Sequence, residues 1–277
     1  MQGVAAICDL ASIMLLAIAA ARGARGYPLS TAVPLLASGL SFAAVAAMLA
    51  AEPSFGGFLL VVLALGVGAT FGAVAALGLP VAHIPLFLTG SLVLYGLVAL
   101  LLSFAVVDSG GLLLSAGPVS GDLERAGSAV LAGIAGALVL AGGSVLFLRR
   151  LLPAREGRRA WPRPALSLQI ALAGGVLLLA VVFLVTVSPL AYWAVVVAAV
   201  LAGGIVVQAM DARANWPLSI LLTGLCGMAT AAIGFALANL VLIMVGGLVG
   251  ASMAAVFSGL CREAGRGPVG LLFGRRD

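Results

Sequence analysis

Lysine is absent from this 277-residue chain: all 14 basic residues are arginine, and charged residues make up only 8% of it. Soluble domains carry about 25% charged residues, so this chain has too little polar surface to stay soluble as a monomer. The arginines fall in short clusters between apolar segments, with no interleaved aromatics along a basic groove, which excludes a nucleic-acid partner. Histidine occurs once, at His83. The three cysteines, Cys8, Cys226 and Cys261, lie in or at the ends of apolar segments and have no CxxC spacing. Neither a metal set nor a disulfide framework can be built from them, and they read as small apolar residues. No catalytic triad is found either. The pair Gly66 and Gly68 forms a lone GxG without a preceding strand, so it carries no nucleotide signal.

What the chain has in abundance is apolar length. Hydrophobic residues make up 64% of it, and its mean hydropathy is +1.29. The expected class is therefore all-α, a polytopic membrane helix bundle forming a single transmembrane domain over residues 1–277. A helix needs about 20 apolar residues to cross the hydrocarbon core. That criterion gives nine transmembrane segments, near 3–21, 30–50, 56–78, 84–107, 126–148, 165–187, 190–210, 217–237 and 239–261. The last two pairs are separated so briefly that they must be tight hairpins. The first segment has no basic stretch before it, while Arg22 and Arg25 follow it, so it reads as a retained helix and not a signal peptide.

Arginine placement tests the count. If nine helices alternate, one side receives Arg22 and Arg25, the cluster from Arg149 to Arg163, Arg213, and Arg262, Arg266, Arg275 and Arg276. Only Arg125 falls opposite. The positive-inside rule then places the N-terminus outside and the C-terminus in the cytoplasm of a multi-pass cell (inner) membrane protein. Two loops are long. The outer one, 108–124, is rich in Gly and Ser and reads as a solvated connector, with a dip along the interface as the alternative. The inner one, 149–164, is basic and holds Trp161. It reads as an anchor at the lipid headgroups, with a docking surface for a soluble partner as the alternative.

Polar residues inside spans are costly and therefore informative. Asp9 lies in the outer part of the first segment, where it faces either a polar cavity or the outer headgroups. His83 precedes the fourth segment, as an interfacial residue or a proton relay. The fourth segment opens PLFLTG and the eighth PLSILLTG, a faint internal echo that puts Thr89 and Thr223 at matching depths. Their hydroxyls either bond their own backbone or face a narrow polar path. Asn239 stands at the turn between the last two segments, and Ser252 lies within the ninth. In that ninth segment Gly246, Gly250, Ala254 and Ser258 recur every four residues, the small-xxx-small pattern of close helix packing in membranes.

The order GMATAAIGFALANLVLIMVGGLVGAS, followed by Cys261 and a basic tail, resembles the last two membrane helices of the β subunit of proton-translocating NAD(P) transhydrogenase. The similarity runs without a gap from Gly227 to Arg266, through Asn239, Gly246, Gly250 and Ser252. The nine-segment count and the Pro-led echo agree with that membrane domain. The resemblance implies a subunit that couples proton passage to hydride transfer. NAD(H) and NADP(H) would bind to separate soluble chains, with no catalytic nucleotide site in this one. Thr89, Thr223, Asn239 and Ser252, with His83 and Asp9, are then the proton-path candidates. The sequence departs from the family where it matters. The family's proton-handling His of the fourth helix falls at 89–92, which holds no ionisable residue, and its Asn of the eighth falls at Thr223 or Gly224. The basic residues after the third helix are missing from 76–82, and an acidic position before the eighth is Asn215, with Asp211 nearby. A divergent relative, acting as a structural membrane subunit or small-solute transporter without hydride coupling, is the alternative. A second copy of the chain, paired through the Gly246 and Gly250 face as a homodimer, is a further candidate partner.

Overall fold

The computed structural model of the chain describes residues 2–26, 28–51, 55–109, 122–152, 166–211 and 214–273. They form helices with short connections, and no strand occurs among the described residues. Away from water a segment must satisfy its backbone N–H and C=O groups internally, and an apolar run does so as a helix. In chain order these are α1 (Gln2–Ala24), α2 (Leu29–Ala51), α3 (Phe55–Gly78), α4 (Ile84–Ser109), α5 (Asp122–Leu151), α6 (Leu166–Thr186), α7 (Pro189–Ala209), α8 (Asn215–Ala236), α9 (Leu240–Glu263) and the short α10 (Pro268–Phe273). Seven of them, α3 to α9, are long and apolar enough to cross a membrane among the described residues, whereas the apolar stretch of α2 is the shorter Pro34–Met48.

Two expectations change. Helix α5 continues to Leu151, so Arg149 and Arg150, expected at the start of a loop, belong to its last turn. Helix α10 was not foreseen. The rest of the expected inner loop, with Trp161, and most of the outer loop lie outside the described residues.

The chain divides into two compact units near the start of α4. In the first, α1 and α2 pack as a pair. Ser12 is buried and its Oγ donates to the Gly39 carbonyl at 2.8 Å. Gly39 permits this approach, because a Cβ there would lie 2.9 Å from the Leu16 side chain. Helix α3 is exposed over 55–74 except at half-buried Gly57.

The second unit, α4 to α10, is built on α5. Gly96 on α4 and Gly136 on α5 face each other's backbones: a Cβ on Gly96 would lie 2.8 Å from the Gly136 carbonyl, and one on Gly136 would lie 3.1 Å from that of Gly96. Helices α7 and α8 pack on other sides of α5, α6 packs on α7, and α9 packs on α8. Large side chains fill the junction of α5, α6 and α7, where Phe183, Tyr192 and Val195 are fully buried. Lipid tails are as apolar as these residues, so the gain on assembly comes from close packing and interhelical hydrogen bonds more than from hydrophobicity.

The two hairpins close through left-handed residues. Val187 (φ 44°) ends α6, and the Ser188 hydroxyl then caps α7 by accepting from the Ala191 N–H at 3.2 Å, with Pro189 next. After α8, the Ala238 N–H donates to the Phe235 carbonyl at 3.2 Å and the Asn239 N–H to that of Gly234 at 2.8 Å. With Ala238 at φ 51° this is a Schellman ending. Asn239 at once caps α9, its Oδ1 accepting from the Leu242 N–H at 3.1 Å.

Where α5 ends, the Arg149 guanidinium reaches the end of α7. Its Nη2 donates to the carbonyls of Val207 at 2.9 Å, Gln208 at 3.3 Å and Met210 at 3.3 Å. These carbonyls lie at the C-terminal, negative end of the α7 dipole, where a helix runs out of its own N–H partners; that of Val207 also accepts from the Met210 N–H at 3.2 Å. Arg150 donates through Nη1 to the Pro85 carbonyl at the start of α4. Helix α10 folds back onto the same end: the Asp211 N–H donates to the Leu272 carbonyl at 3.0 Å, and Leu272 is buried with Leu146, Met210 and Leu218.

Candidate functional site

Helices α4 and α8, which carry the Pro-led echo, meet at a polar contact. Tyr95, near the midpoint of α4, directs its hydroxyl to the Thr230 hydroxyl on α8 and donates to the Cys226 carbonyl at 3.1 Å. Thr230 in turn reaches the same carbonyl at 2.9 Å. The two hydroxyls have one proton each for these three contacts, so at any moment two of them are hydrogen bonds. Either both hydroxyls donate to the Cys226 carbonyl, or one donates to it and accepts from the other.

Two turns further along α4, Ser103 meets Tyr192 of α7 at 2.5 Å between hydroxyl oxygens, and both residues are fully buried. Ser103 also reaches the Leu100 carbonyl at 2.8 Å. Gly133 on α5 makes the space, since a Cβ there would lie 2.9 Å from the Tyr192 hydroxyl and 3.1 Å from Ser103 Oγ.

The sequence-expected residues are distributed differently. Thr89 is buried, but its hydroxyl is met by the Pro85 and Leu86 carbonyls of its own helix at 3.0 and 2.9 Å. Thr223 donates to the Ser219 carbonyl at 2.8 Å. Asn239 is a helix cap, and Ser252 is exposed and bonded to the Val249 carbonyl at 3.0 Å. His83 is exposed in a 3-10 turn before α4, and Asp9 is half-buried on α1. The chemistry that joins α4 to α8 lies instead at Tyr95 and Thr230. Tyr95 carried a signal: tyrosine favours the membrane interface, so one at mid-helix needs a partner inside the protein.

The glycine stripe of α9 divides in two. Gly246 and Gly250 approach α8, where a Cβ on Gly246 would lie 2.6 Å from the Gly227 carbonyl and one on Gly250 3.6 Å from Met228. Ala254 and Ser258 are exposed.

Hydroxyls can relay or hold a proton but offer no strong acid or base. No group of three or more His, Cys, Asp or Glu able to hold a metal occurs among the described residues. Gly66 and Gly68 lie inside α3, whose backbone N–H groups are engaged in the helix.

Among curated proteins none matches this chain. The model of the family described as NAD(P) transhydrogenase beta subunit matches residues 3–276, nearly all of the sequence, and the chain belongs to that family.

Proposed function

We propose that this chain is an integral membrane subunit of transhydrogenase type, which couples proton passage to hydride transfer between NAD(H) and NADP(H) held on separate soluble chains. The observation that carries the reading is the Tyr95–Thr230 contact between α4 and α8. It joins the pair of helices on which the family resemblance puts the proton-handling residues, in a chain matched by the family over 3–276. In this reading the hydroxyls take over a task the family gives to an ionisable side chain. Nine spans, an outer N-terminus and a cytoplasmic C-terminus in the inner membrane complete it, supported by the arginine segregation. A homodimer is compatible with the exposed small residues of α9.

The test is transhydrogenation in proteoliposomes with both soluble nucleotide-binding chains added and a pH-sensitive dye inside. Hydride transfer accompanied by a dye response is expected. Hydride transfer and dye response both absent rejects the reading. Topology is tested separately by labelling cysteines introduced at Arg155 and Asp277, expected on one face of the bilayer.

A second reading has its own support. Thr89 and Thr223 spend their hydroxyls on their own helices, as in an inert bundle, which favours a structural membrane subunit or a small-solute transporter without hydride coupling. Passive solute uptake by the same vesicles, without added nucleotide chains, distinguishes the transporter from both other roles.

A further inference from the structure

Ser103 and Tyr192 make the second hydroxyl contact of α4, and proton passage through Tyr95 and Thr230 does not use it. Tyr192 stands near the start of α7, its ring against Phe104 of α4 and Phe183 of α6 at centroid separations of 6.0 and 5.7 Å. Trp193 packs on Phe104 from the same turn of α7, at 5.1 Å. The Tyr192 side chain is fully buried, so packing fixes the direction of its hydroxyl, which meets Ser103 Oγ at 2.5 Å.

Tyr95 and Ser103 belong to one stripe of α4. With buried Ala99 and Val106 they recur at 95, 99, 103 and 106, on the side turned to the neighbouring helices, whereas Leu94, Leu101 and Leu102 are exposed. Beside Tyr95 lies the Gly96–Gly136 contact with α5. Glycine offers no side chain to interlock, so this contact brings the two helices close without setting how far α4 turns or slides. Apolar neighbours set that only weakly in lipid, whose tails are as apolar as they are. Hydrogen bonds are directional and set it sharply. A slip of one residue would turn α4 by about 100° and carry Leu94 and Leu102 to the places of Tyr95 and Ser103. Two directional contacts eight residues apart on one helix, roughly 12 Å along its axis, hold both its rotation and its height.

We propose that the Ser103–Tyr192 pair positions α4, setting the register in which the Tyr95 hydroxyl meets Thr230. Neither Ser103 nor Tyr192 is bonded to Tyr95 or Thr230, so the pair acts through the helix as a whole. Its bearing on proton passage rests on the function proposed above; its bearing on where Tyr95 sits does not.

Tyr192→Phe removes the contact and spares the packing, since the ring remains and Ser103 keeps the Leu100 carbonyl. The chain has three tyrosines, Tyr27, Tyr95 and Tyr192, so 13Cζ-tyrosine labelling of the full chain in nanodiscs gives three signals. That of Tyr95 is identified by its loss in Tyr95→Phe. In Tyr192→Phe it should shift away from its parent position. Melting temperatures give a second readout, because sites farther apart than about 7–10 Å without shared partners normally add their losses. Here the double variant should melt close to Tyr192→Phe alone, which already costs α4 its contact with Thr230. An unmoved Tyr95 signal overturns the proposal, and so do additive melting losses. In proteoliposomes with both nucleotide-binding chains, the dye response should fall by the same factor in Tyr192→Phe as in Tyr95→Phe. A fall in Tyr95→Phe alone overturns the positioning role. A response unaltered in both rejects the proton relay at Tyr95, and the signal and the melts then decide the register by themselves.

Discussion

Gly227 and Gly246 lie against each other's backbones: a Cβ on Gly227 would fall 2.7 Å from the Gly246 carbonyl, and one on Gly246 would fall 2.6 Å from the Gly227 carbonyl. Neither residue can gain a side chain unless α8 and α9 move apart. Gly246→Leu should therefore lower the melting temperature in detergent, by an amount matching about 1–3 kcal/mol of overpacking or more. Gly247 provides the control, since nothing lies within 4 Å of a Cβ there. Gly247→Ala should leave the melt unchanged or raise it slightly, because alanine is the better helix former by about 1 kcal/mol. Equal melts for Gly246→Leu and the parent chain would count against the contact.

Ala238 gives a prediction of opposite sign. It holds φ 51° at the Schellman position after α8, where glycine is usual. A left-handed alanine costs roughly 1–2 kcal/mol, while glycine returns part of that through the extra freedom of its unfolded chain, about 0.4–1 kcal/mol. Ala238→Gly should thus stabilise the protein by up to about 1 kcal/mol. Val187, at φ 44°, is a β-branched residue in the same strained region. Its side chain also packs against the core of α5, α6 and α7, so Val187→Gly relieves strain but gives up burial. Its melt should therefore lie below that of Ala238→Gly. Thermal melts of both variants decide the matter.

These residues also mark how far sequence reading extends. Long apolar runs have few structural options, so α1 to α9 fall within four residues of the expected limits. Four-residue spacing located Gly246 and Gly250, but could not say that Ala254 and Ser258 of the same stripe are exposed, since spacing shows a stripe and not what covers it. Ala238 and Val187 gave no turn signal, because neither is glycine. The Tyr95–Thr230 pair joins positions 135 residues apart, and its register follows from how α4 and α8 pack on their neighbours. Thr89 and Thr223 were correctly placed in their helices, but one carbonyl of the same helix is enough to satisfy a threonine. Arg149 looked like a loop residue because charge usually ends a span. Here the charge is retained because the α7 carbonyls are within its reach.

Tyr95→Phe separates stability from function. The Thr230 hydroxyl keeps the Cys226 carbonyl as partner, so no buried group is orphaned. Interhelical hydrogen bonds in membranes are worth about 0.6 kcal/mol on average and up to about 1.7. The melt should drop only by that amount. If the contact relays protons, the proteoliposome dye response should fall by an order of magnitude or more in the same variant, and hydride transfer should no longer respond to an imposed pH gradient. A normal dye response with the expected small loss of stability would leave Tyr95 as a packing residue.

Arg149 and Arg150 are adjacent in sequence yet should differ in weight. Arg149 brings one nitrogen to three carbonyls at the end of α7, whereas Arg150 reaches the single Pro85 carbonyl. Hydrogen bonds to a charged group contribute about 1.5–3 kcal/mol when buried, and the α7 dipole adds to the attraction. Arg149→Leu should therefore destabilise by about 2–3 kcal/mol. It should also loosen α10, because Asp211, which is tied to Leu272, follows directly after the capped turn. Arg149→Lys should recover only part of the loss, since a compact ammonium lacks the planar fork of the guanidinium. Arg150→Leu should cost no more than about 1 kcal/mol, as for exposed pairs. Melting curves order the three variants. Hydrogen exchange at the Asp211 amide gives a second readout, which should rise in Arg149→Leu and stay at the parent level in Arg150→Leu. The reverse order of melts, or equal exchange in both, would show that α7 is held by packing alone.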